Sequence, residues 1–133
     1  MLKEIIISRI ILDEKRQDQF LVLKEKDGDR QFPMIIGIAE VSSIKMELSN
    51  ITPPRPIGHD LIVSLINKLG VEMKRVIIDK VVKNTFYARI ELKDKEGNKI
   101  ELDSRPSDAI AVALRLKVKI FAREKVIEKT ELI

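Results

Sequence analysis

The sequence predicts an α+β fold with a mixed, mostly antiparallel sheet and about three helices. Strand patterns and helical patterns occur in blocks rather than in strict alternation, which favours antiparallel pairing. Two turn signals, Asp27-Gly28 and Glu96-Gly97, adjoin apolar runs and indicate hairpins. The chain has 133 residues, which is enough for a single domain, 1–133, with one sizeable core.

The first part of the chain predicts three strands and a helix. Residues 3–12 are β-branched and apolar, and residues 20–24 form a second run of this kind. Residues 31–36 predict a third strand, in which Pro33 requires an edge or bulge position because proline cannot donate a ladder hydrogen bond. Apolar residues then recur at helical spacing over residues 38–49, which predicts a helix.

The second part begins with a stiff loop, in which three prolines in four residues exclude both helix and central strand. The pattern that follows predicts a helix at 59–69, strands at 72–82, 85–93 and 99–102, a helix at 106–116 and a short strand at 118–122. One face of the first of these helices consists of Leu61, Leu65, Ile66 and Leu69. The second has a face that we expect to be buried, formed by Ile110, Ala113 and Leu114.

Two charged segments of the chain resemble each other. Residues 23–30 and 92–99 align at a constant offset of 69, and each lies between strands and is followed by a helix. Two interpretations stay open. Any charged hairpin has a composition of this kind, or a strand–hairpin–helix unit is duplicated, with the helix of residues 55–70 inserted between the copies.

Composition limits the classes of function. The chain has no cysteine, which excludes disulfides, a thiol nucleophile and a cysteine metal site, so a metal would use carboxylates and the single histidine. The net charge of +4 permits nucleic-acid binding without requiring it. The high content of charged residues is typical of a thermophilic protein. No signal peptide and no membrane-spanning run are apparent, so we expect a cytoplasmic protein without a membrane partner.

Two helix starts combine arginine, proline and aspartate, and they contain the candidate phosphate-binding residues Arg55, Arg105 and Ser107. A helix N-terminus exposes unpaired backbone N–H groups and the positive end of the helix dipole. A nearby guanidinium adds a charge that matches phosphate. The two corners therefore predict anion binding, with phosphate as the expected anion.

The same corners carry the candidate catalytic residues His59, Asp60, Asp103 and Asp108. The three aspartates, Asp60, Asp103 and Asp108, are also candidate ligands for a divalent metal cofactor, Mg²⁺ or Mn²⁺, which prefers oxygen ligands. His59 is a candidate general acid or base. Phosphodiester cleavage needs this combination of cationic groups on the phosphate and a group that activates water.

Purely structural roles are open for the same side chains. Arg105 and Asp108 are three residues apart and can simply pair on one helix face. Asp60 and Asp103 can cap helices, and His59 can cap or pack. Sequence alone does not separate these roles from catalysis.

Four stretches of the chain, in order, resemble the bifunctional nuclease domain family. They are residues 32–37 with Glu40, residues 54–56 with 59–61, residues 85–88 and residues 103–111. Glu40 is also favoured by the dipole of its helix and requires no catalytic role. Gly58 departs from the family pattern, which more usually has a hydroxyl residue before His59, so a hydroxyl contact is not expected there.

The resemblance implies an α+β fold, a homo-oligomer and cleavage of both DNA and RNA. Two hypotheses follow: a metal-assisted nuclease, or a non-catalytic oligomeric module that binds an anionic ligand or nucleic acid at the same corners. We favour the nuclease and, for the assembly, a homodimer. Convergence of the two corners and their carboxylates in one cleft favours the enzyme, whereas aspartates that only cap their own helices favour the binding module.

Overall fold

The computed structural model describes residues 1–13, 15 and 18–130. These residues form the elements β1 (Leu2–Asp13), β2 (Asp18–Glu25), β3 (Gln31–Ile36), α1 (Ile38–Leu48), α2 (Gly58–Lys68), β4 (Glu72–Val82), β5 (Thr85–Lys93), β6 (Lys99–Ser104), α3 (Pro106–Leu116), β7 (Ile120–Arg123) and α4 (Glu124–Lys129). The predicted α+β class is confirmed. No helix in this described part of the chain has the length and apolar character needed to cross a membrane.

The strands form one mixed sheet in the order β3-β2-β1-β7-β4-β5-β6. Neighbouring strands pair antiparallel, except that β4 and β7 are parallel. Pro33 lies in β3, which is an edge strand, so the predicted edge position is confirmed. At the turn between β4 and β5, Lys83 and Asn84 both have left-handed backbones, with φ of 50° and 64°, as a two-residue hairpin turn requires.

The same connectivity occurs twice in the chain. The first unit is β1-β2-β3-α1 and the second is β4-β5-β6-α3, with α2 inserted between them. The two three-stranded blocks flank β7, which occupies the centre of the sheet. The repeated strand–hairpin–helix arrangement that the charged segments suggested is therefore present in the fold.

Helix α3 lies at the centre of the helical layer. It packs on β4 and β5 and contacts both α1 and α2. Its alanines at 109, 111 and 113 are fully buried, because a small side chain lets neighbouring backbones approach closely. Ile110 and Ala113 are buried as predicted, and Leu114 is partly buried against the core.

The last strand begins later than the predicted residues 118–122. Lys117 ends α3 with a left-handed backbone, φ 57°, and the Val118 N–H donates to the Ala113 carbonyl over 2.9 Å. These two residues complete the C-terminus of the helix, as a left-handed helix end requires. The strand therefore starts at Ile120, and the residues after Arg123 form the short helix α4.

Helix α2 presents most of its apolar face to solvent. Leu61 and Leu65 of the helix are 58% and 52% exposed, and Leu69, its C-cap residue, is 62% exposed. Val63 and Ile66 pack against the core, but no residue of α2 is fully buried. The apolar face predicted for this helix is therefore divided, because the side of α2 that contacts α3 and β4 lies around Val63 and Ile66.

Candidate active site

Three helix N-termini meet at one place in the fold. Helices α1, α2 and α3 each carry an acidic residue at the third helical position, namely Glu40, Asp60 and Asp108. A carboxylate is favoured at this position by the helix dipole. Arg105, the residue before α3, and His59, at the second position of α2, connect these three starts through hydrogen bonds.

His59 is the centre of a hydrogen-bonded chain. Its Nδ1 atom lies 2.6 Å from Ser43 Oγ, and its Nε2 atom lies 2.9 Å from Asp108 Oδ1. Arg115 Nη2 donates to Ser43 Oγ over 3.0 Å, which leaves the serine hydroxyl hydrogen free to bond Nδ1. We therefore assign the imidazole proton to Nε2, from which it is donated to Asp108.

Arg105 bridges carboxylates from two helices. Its Nε atom donates to Asp108 Oδ2 over 2.8 Å, and its Nη2 atom lies 2.8 Å from Glu40 Oε1. Burial opposes ionisation of Asp108, but hydrogen bonds from Arg105 and His59 outweigh it and hold the pKa of Asp108 below its usual value. The two carboxylates together carry one more charge than this guanidinium neutralises.

A second arginine, Arg115, is buried behind this group. Its side chain is only 6% exposed, and its Nε atom donates to Asp60 Oδ1 over 2.9 Å. The Ile57 N–H also donates to Asp60, so this aspartate caps α2, as the structural interpretation predicted. These contacts, with Arg115 first and Ile57 second, lower the pKa of Asp60.

The predicted residues do not all lie together. His59, Arg105 and Asp108 contact one another directly. Asp103 is exposed on β6 and does not cap α3, whose N-cap residue is Arg105. Arg55 is exposed in the proline-rich loop and forms no ion pair with any described residue.

The predicted metal ligands are also separated. Asp60 is held by Arg115 and by the cap bond, away from Asp108, and Asp103 contacts neither. Among residues 1–13, 15 and 18–130, no group of three histidine, aspartate or glutamate side chains is arranged to hold a metal ion. The ligand set Asp60, Asp103 and Asp108 is therefore not assembled.

Ser43 and Arg115 were missing from the residues that the sequence singled out, and Glu40 received only a dipole role. A weak signal existed for Arg115, since it lies seven residues after Asp108 and thus on the same side of α3. Ser43 is a polar residue between the buried Val41 and Ile44 of α1. Neither pattern identifies a partner on another helix.

Two clefts open on either side of Arg105. The histidine cleft, of about 420 Å³, is lined by Glu40, Ser42, Ser43, His59, Arg105 and Asp108 among others. The phenylalanine cleft, of about 270 Å³, is lined by Met34, Ile36, Asn84, Phe86, Arg105 and Ser107 among others. Arg105 is therefore placed to contact a ligand in both clefts.

Comparison with known proteins agrees with the resemblance seen in the sequence. Residues 21–133 match the model of the bifunctional nuclease domain. The chain belongs to the bifunctional nuclease domain family. An uncharacterized protein of Mycobacterium tuberculosis is 37% identical to this bifunctional nuclease domain over 130 residues, which are 98% of the chain and 77% of that protein.

Plant relatives are similar over a shorter part of their own length. Bifunctional nuclease 1 of Oryza sativa subsp. japonica is 34% identical over 110 residues, covering 80% of this chain and 33% of the rice protein. Bifunctional nuclease 1 of Arabidopsis thaliana is 34% identical over 104 residues, covering 75% of this chain and 32% of that protein. The bifunctional nuclease domain described here thus corresponds to about a third of each plant protein.

Proposed function

We propose that this bifunctional nuclease domain hydrolyses phosphodiester bonds of DNA and RNA in the histidine cleft. The observation that carries the proposal is the convergence of Arg105, Glu40, Asp108 and His59 from three helix starts. The names of the plant relatives, which are bifunctional nucleases, support the same reaction. Nucleic acid is accordingly the proposed partner.

Each side chain has a role that its contacts allow. Arg105 has a guanidinium that can donate to phosphate oxygens while it remains tied to α3. Asp108 is kept ionised and is the group best placed to orient an attacking water. Both ring nitrogens of His59 are already hydrogen-bonded, so its role in this proposal is to position Asp108. Acting as the acid or base itself would require one of those two bonds to break.

A divalent cation fits Glu40 and Asp108 better than the ligand set expected from the sequence. Their surplus negative charge would repel a phosphate unless a further cation were bound. Mg²⁺ commonly uses one or two carboxylates and completes its coordination with water and substrate phosphates. These two side chains would hold the metal, which would supply charge neutralisation on the phosphate. We propose Mg²⁺ or Mn²⁺ as the cofactor on this basis.

A cleavage assay tests the proposal directly. Supercoiled plasmid and an unstructured RNA are incubated with the parent chain, with Asp108→Asn and Glu40→Gln, and with Asp29→Asn as an exposed hairpin control. We expect the first two variants to lose at least about tenfold in rate and the control to match the parent. Equal rates in all variants, with the fold intact, would support the alternative, a non-catalytic module that binds nucleic acid or another anionic ligand.

The metal requirement is a separate arm of the same assay. Activity should disappear in EDTA and return with excess Mg²⁺ or Mn²⁺, and Asp103→Asn should leave this response unchanged. Loss of the metal response in Asp103→Asn, with Glu40→Gln unaffected, would restore the ligand set predicted from sequence. Cleavage that continues unchanged in EDTA would reject the metal and leave the nuclease proposal standing.

We also propose that a second copy of the chain covers the exposed face of α2. An 11-residue helix has little stability in water without packing, yet no side chain of α2 is fully buried. Its outward residues Leu61, Leu65 and Leu69 form a ridge without charge, so two copies can meet without opposing like charges. A two-fold contact of this ridge with itself gives the homodimer.

Light scattering tests the dimer at micromolar concentration. The parent should have the mass of two chains, and Leu65→Glu should have the mass of one, because each copy would then face the other's carboxylate. Val82→Glu is the control, since Val82 is an exposed apolar residue on β4 rather than on α2. A monomeric parent, or a dimer that Leu65→Glu leaves intact, would count against this interface.

A further inference from the structure

The phenylalanine cleft lies beside the proposed cleavage site and has no role in it so far. Its volume of about 270 Å³ is slightly below that of common ligand-binding clefts, which are roughly 300–1,000 Å³. It can therefore take one small organic unit, but not a duplex. Arg105 forms part of its wall and also part of the histidine cleft.

One end of this cleft carries hydrogen-bond donors that suit an anion. Ser107, at the second position of the 11-residue helix α3, is only 7% exposed and lines the cleft. Its hydroxyl forms no hydrogen bond with any residue that the structure describes, so it is available to a ligand in the cleft. The first backbone N–H groups of a helix also lack partners within the helix. Ser107, these N–H groups and Arg105 together offer donors to one phosphate.

The floor of the cleft is apolar. Met34 and Ile36 are buried residues of β3, and Phe86 of β5 is held in place by its stacking on Phe32, with ring centroids 6.0 Å apart. A flat aromatic ligand can bury its faces against such a surface. The scarcity of aromatic residues argues against an extended stacking platform, but a single slot needs only one fixed ring.

The rim of the cleft carries an amide. Asn84 belongs to the two-residue turn between β4 and β5, and its side chain is exposed at the cleft. A carboxamide offers both a donor and an acceptor, which matches the hydrogen-bonding edge of a nucleobase. No described residue forms a hydrogen bond with this side chain. The cleft thus has an end with hydrogen-bond donors, an apolar floor and a polar rim.

We propose that the phenylalanine cleft binds one nucleotide unit of the substrate, with its phosphate at Arg105 and Ser107 and its base against Phe86, Met34 and Ile36. The inference rests on the proposed nuclease function for the identity of the ligand. A base can enter the cleft only if it is not stacked in a duplex, because extrusion from a duplex costs stacking and pairing energy. The substrate class is therefore unpaired nucleic acid.

Binding of small probes to the full chain tests the cleft without a cleavage step. Titration calorimetry compares adenosine 5′-monophosphate and uridine 5′-monophosphate with ribose 5-phosphate and with inorganic phosphate. We expect both nucleotides to bind at least about tenfold more tightly than ribose 5-phosphate, which is the size of effect that one base contact provides. Equal affinities for nucleotide and ribose 5-phosphate would overturn the proposal.

Variants then locate the base. Asn84→Gly keeps the left-handed turn while it removes the amide, and Phe86→Leu removes the ring. Both should reduce the preference for nucleotide over ribose 5-phosphate by about threefold or more, with binding of ribose 5-phosphate unchanged. Tyr87→Leu is the matched control, since Tyr87 is the neighbouring aromatic residue on β5 and lines neither cleft. If Phe86→Leu also lowered the melting temperature, Asn84→Gly would decide, and an unchanged preference for nucleotide in that variant would reject the rim contact.

Cleavage of a short single-stranded oligonucleotide separates this inference from the proposed function. One version of the oligonucleotide has only normal bases. Each of the other versions has a single abasic nucleotide, placed at a different position in each. Cleavage at the normal rate whatever the abasic position would reject the base site while the nuclease proposal survives. No cleavage of any substrate, combined with nucleotide binding that Asn84→Gly weakens, would reject the nuclease proposal and retain the site.

Discussion

The two units of the fold have the same connectivity but contribute differently to the site. In the first, α1 begins after Gly37, whose missing side chain leaves room for the Glu40 carboxylate, because a Cβ there would overlap it. In the second, α3 begins after Arg105, whose long side chain reaches back to Asp108 and across to Glu40. The two carboxylates occupy the same third helical position and share one guanidinium.

The helices also differ in burial. Seven of the eleven residues of α3 are buried, whereas α1 buries Val41, Ser43 and Ile44. The central helix can be surrounded on most sides because it is rich in alanine, and it therefore positions both arginines of the site. A repeated scaffold thus gives two equivalent helix starts, and only the start of α3 carries an arginine before its first turn.

The largest expected effect follows from removing Arg115, ten residues after the N-cap of α3. Arg115→Met leaves Asp60 without its buried partner and should lower the free energy of unfolding by about 3–5 kcal/mol. The corresponding residue of α1 is Glu47, and Glu47→Met should change the free energy of unfolding by less than about 0.5 kcal/mol. Urea unfolding measures both, and equal losses would show that the two helices are energetically equivalent.

Removal of Arg105 should have the largest effect on cleavage. Arg105→Ala takes away the donor to the phosphate and should reduce kcat/KM by about 10²–10³. Arg55→Ala removes an exposed arginine of the proline-rich loop and should cost less than about fivefold, as an exposed charge contributes up to about 1 kcal/mol. Steady-state cleavage rates on one RNA substrate give kcat/KM for both variants and for the parent. Similar losses would mean that the loop closes onto the cleft and that Arg55 binds phosphate as well.

Packing around the two helices can be compared at their eighth residues. Ala113 of α3 is fully buried, so Ala113→Leu should overpack the core and lower stability by about 1–3 kcal/mol. Lys45 of α1 is exposed, and Lys45→Leu should be close to neutral. Thermal and urea unfolding measure the difference. A neutral Ala113→Leu would contradict the central position of α3.

The smallest expected effect is on the pH dependence of stability. The pKa of Asp108 is lowered in the folded state, so its stabilising contribution is complete above the unfolded value of 3.8 and is lost as the pH falls through the lower folded value. The contribution should be about 0.2–1 kcal/mol, because the partner side chain of Arg105 is 65% exposed. Asp108→Asn should flatten the stability curve below pH 4, and an unchanged curve would remove Asp108 from this account.

Much of the fold could be predicted because its signals are local. Periodicity gave the three long helices to within a residue at each end, and Gly, Pro and Asp-Gly positions marked the turns. Pro33 identified an edge strand from its own chemistry. The insertion of β7 between β1 and β4 could not be predicted, since strand pairing depends on which apolar faces meet in three dimensions.

The candidate site was predicted in part for the same reason. Arg105 and Asp108 are neighbours on one helix, so their pairing follows from sequence spacing. Asp103 is equally close in sequence, but its side chain is exposed on β6 and lies outside the cluster. Ser43 entered the site only because α1 packs on α3 beside His59.

The limits of most helices and strands, and the helix starts that carry charge, follow from the sequence, because each of these depends on residues within a few positions of one another. Which of these charges meet depends on the packing of distant segments. Glu40 and Asp108 share Arg105 across 68 positions of chain, and Arg115 reaches Asp60 across 55. Such contacts are fixed by the packing of three helices on the sheet, since the identity of a side chain does not specify which distant partner the fold will place within hydrogen-bonding distance.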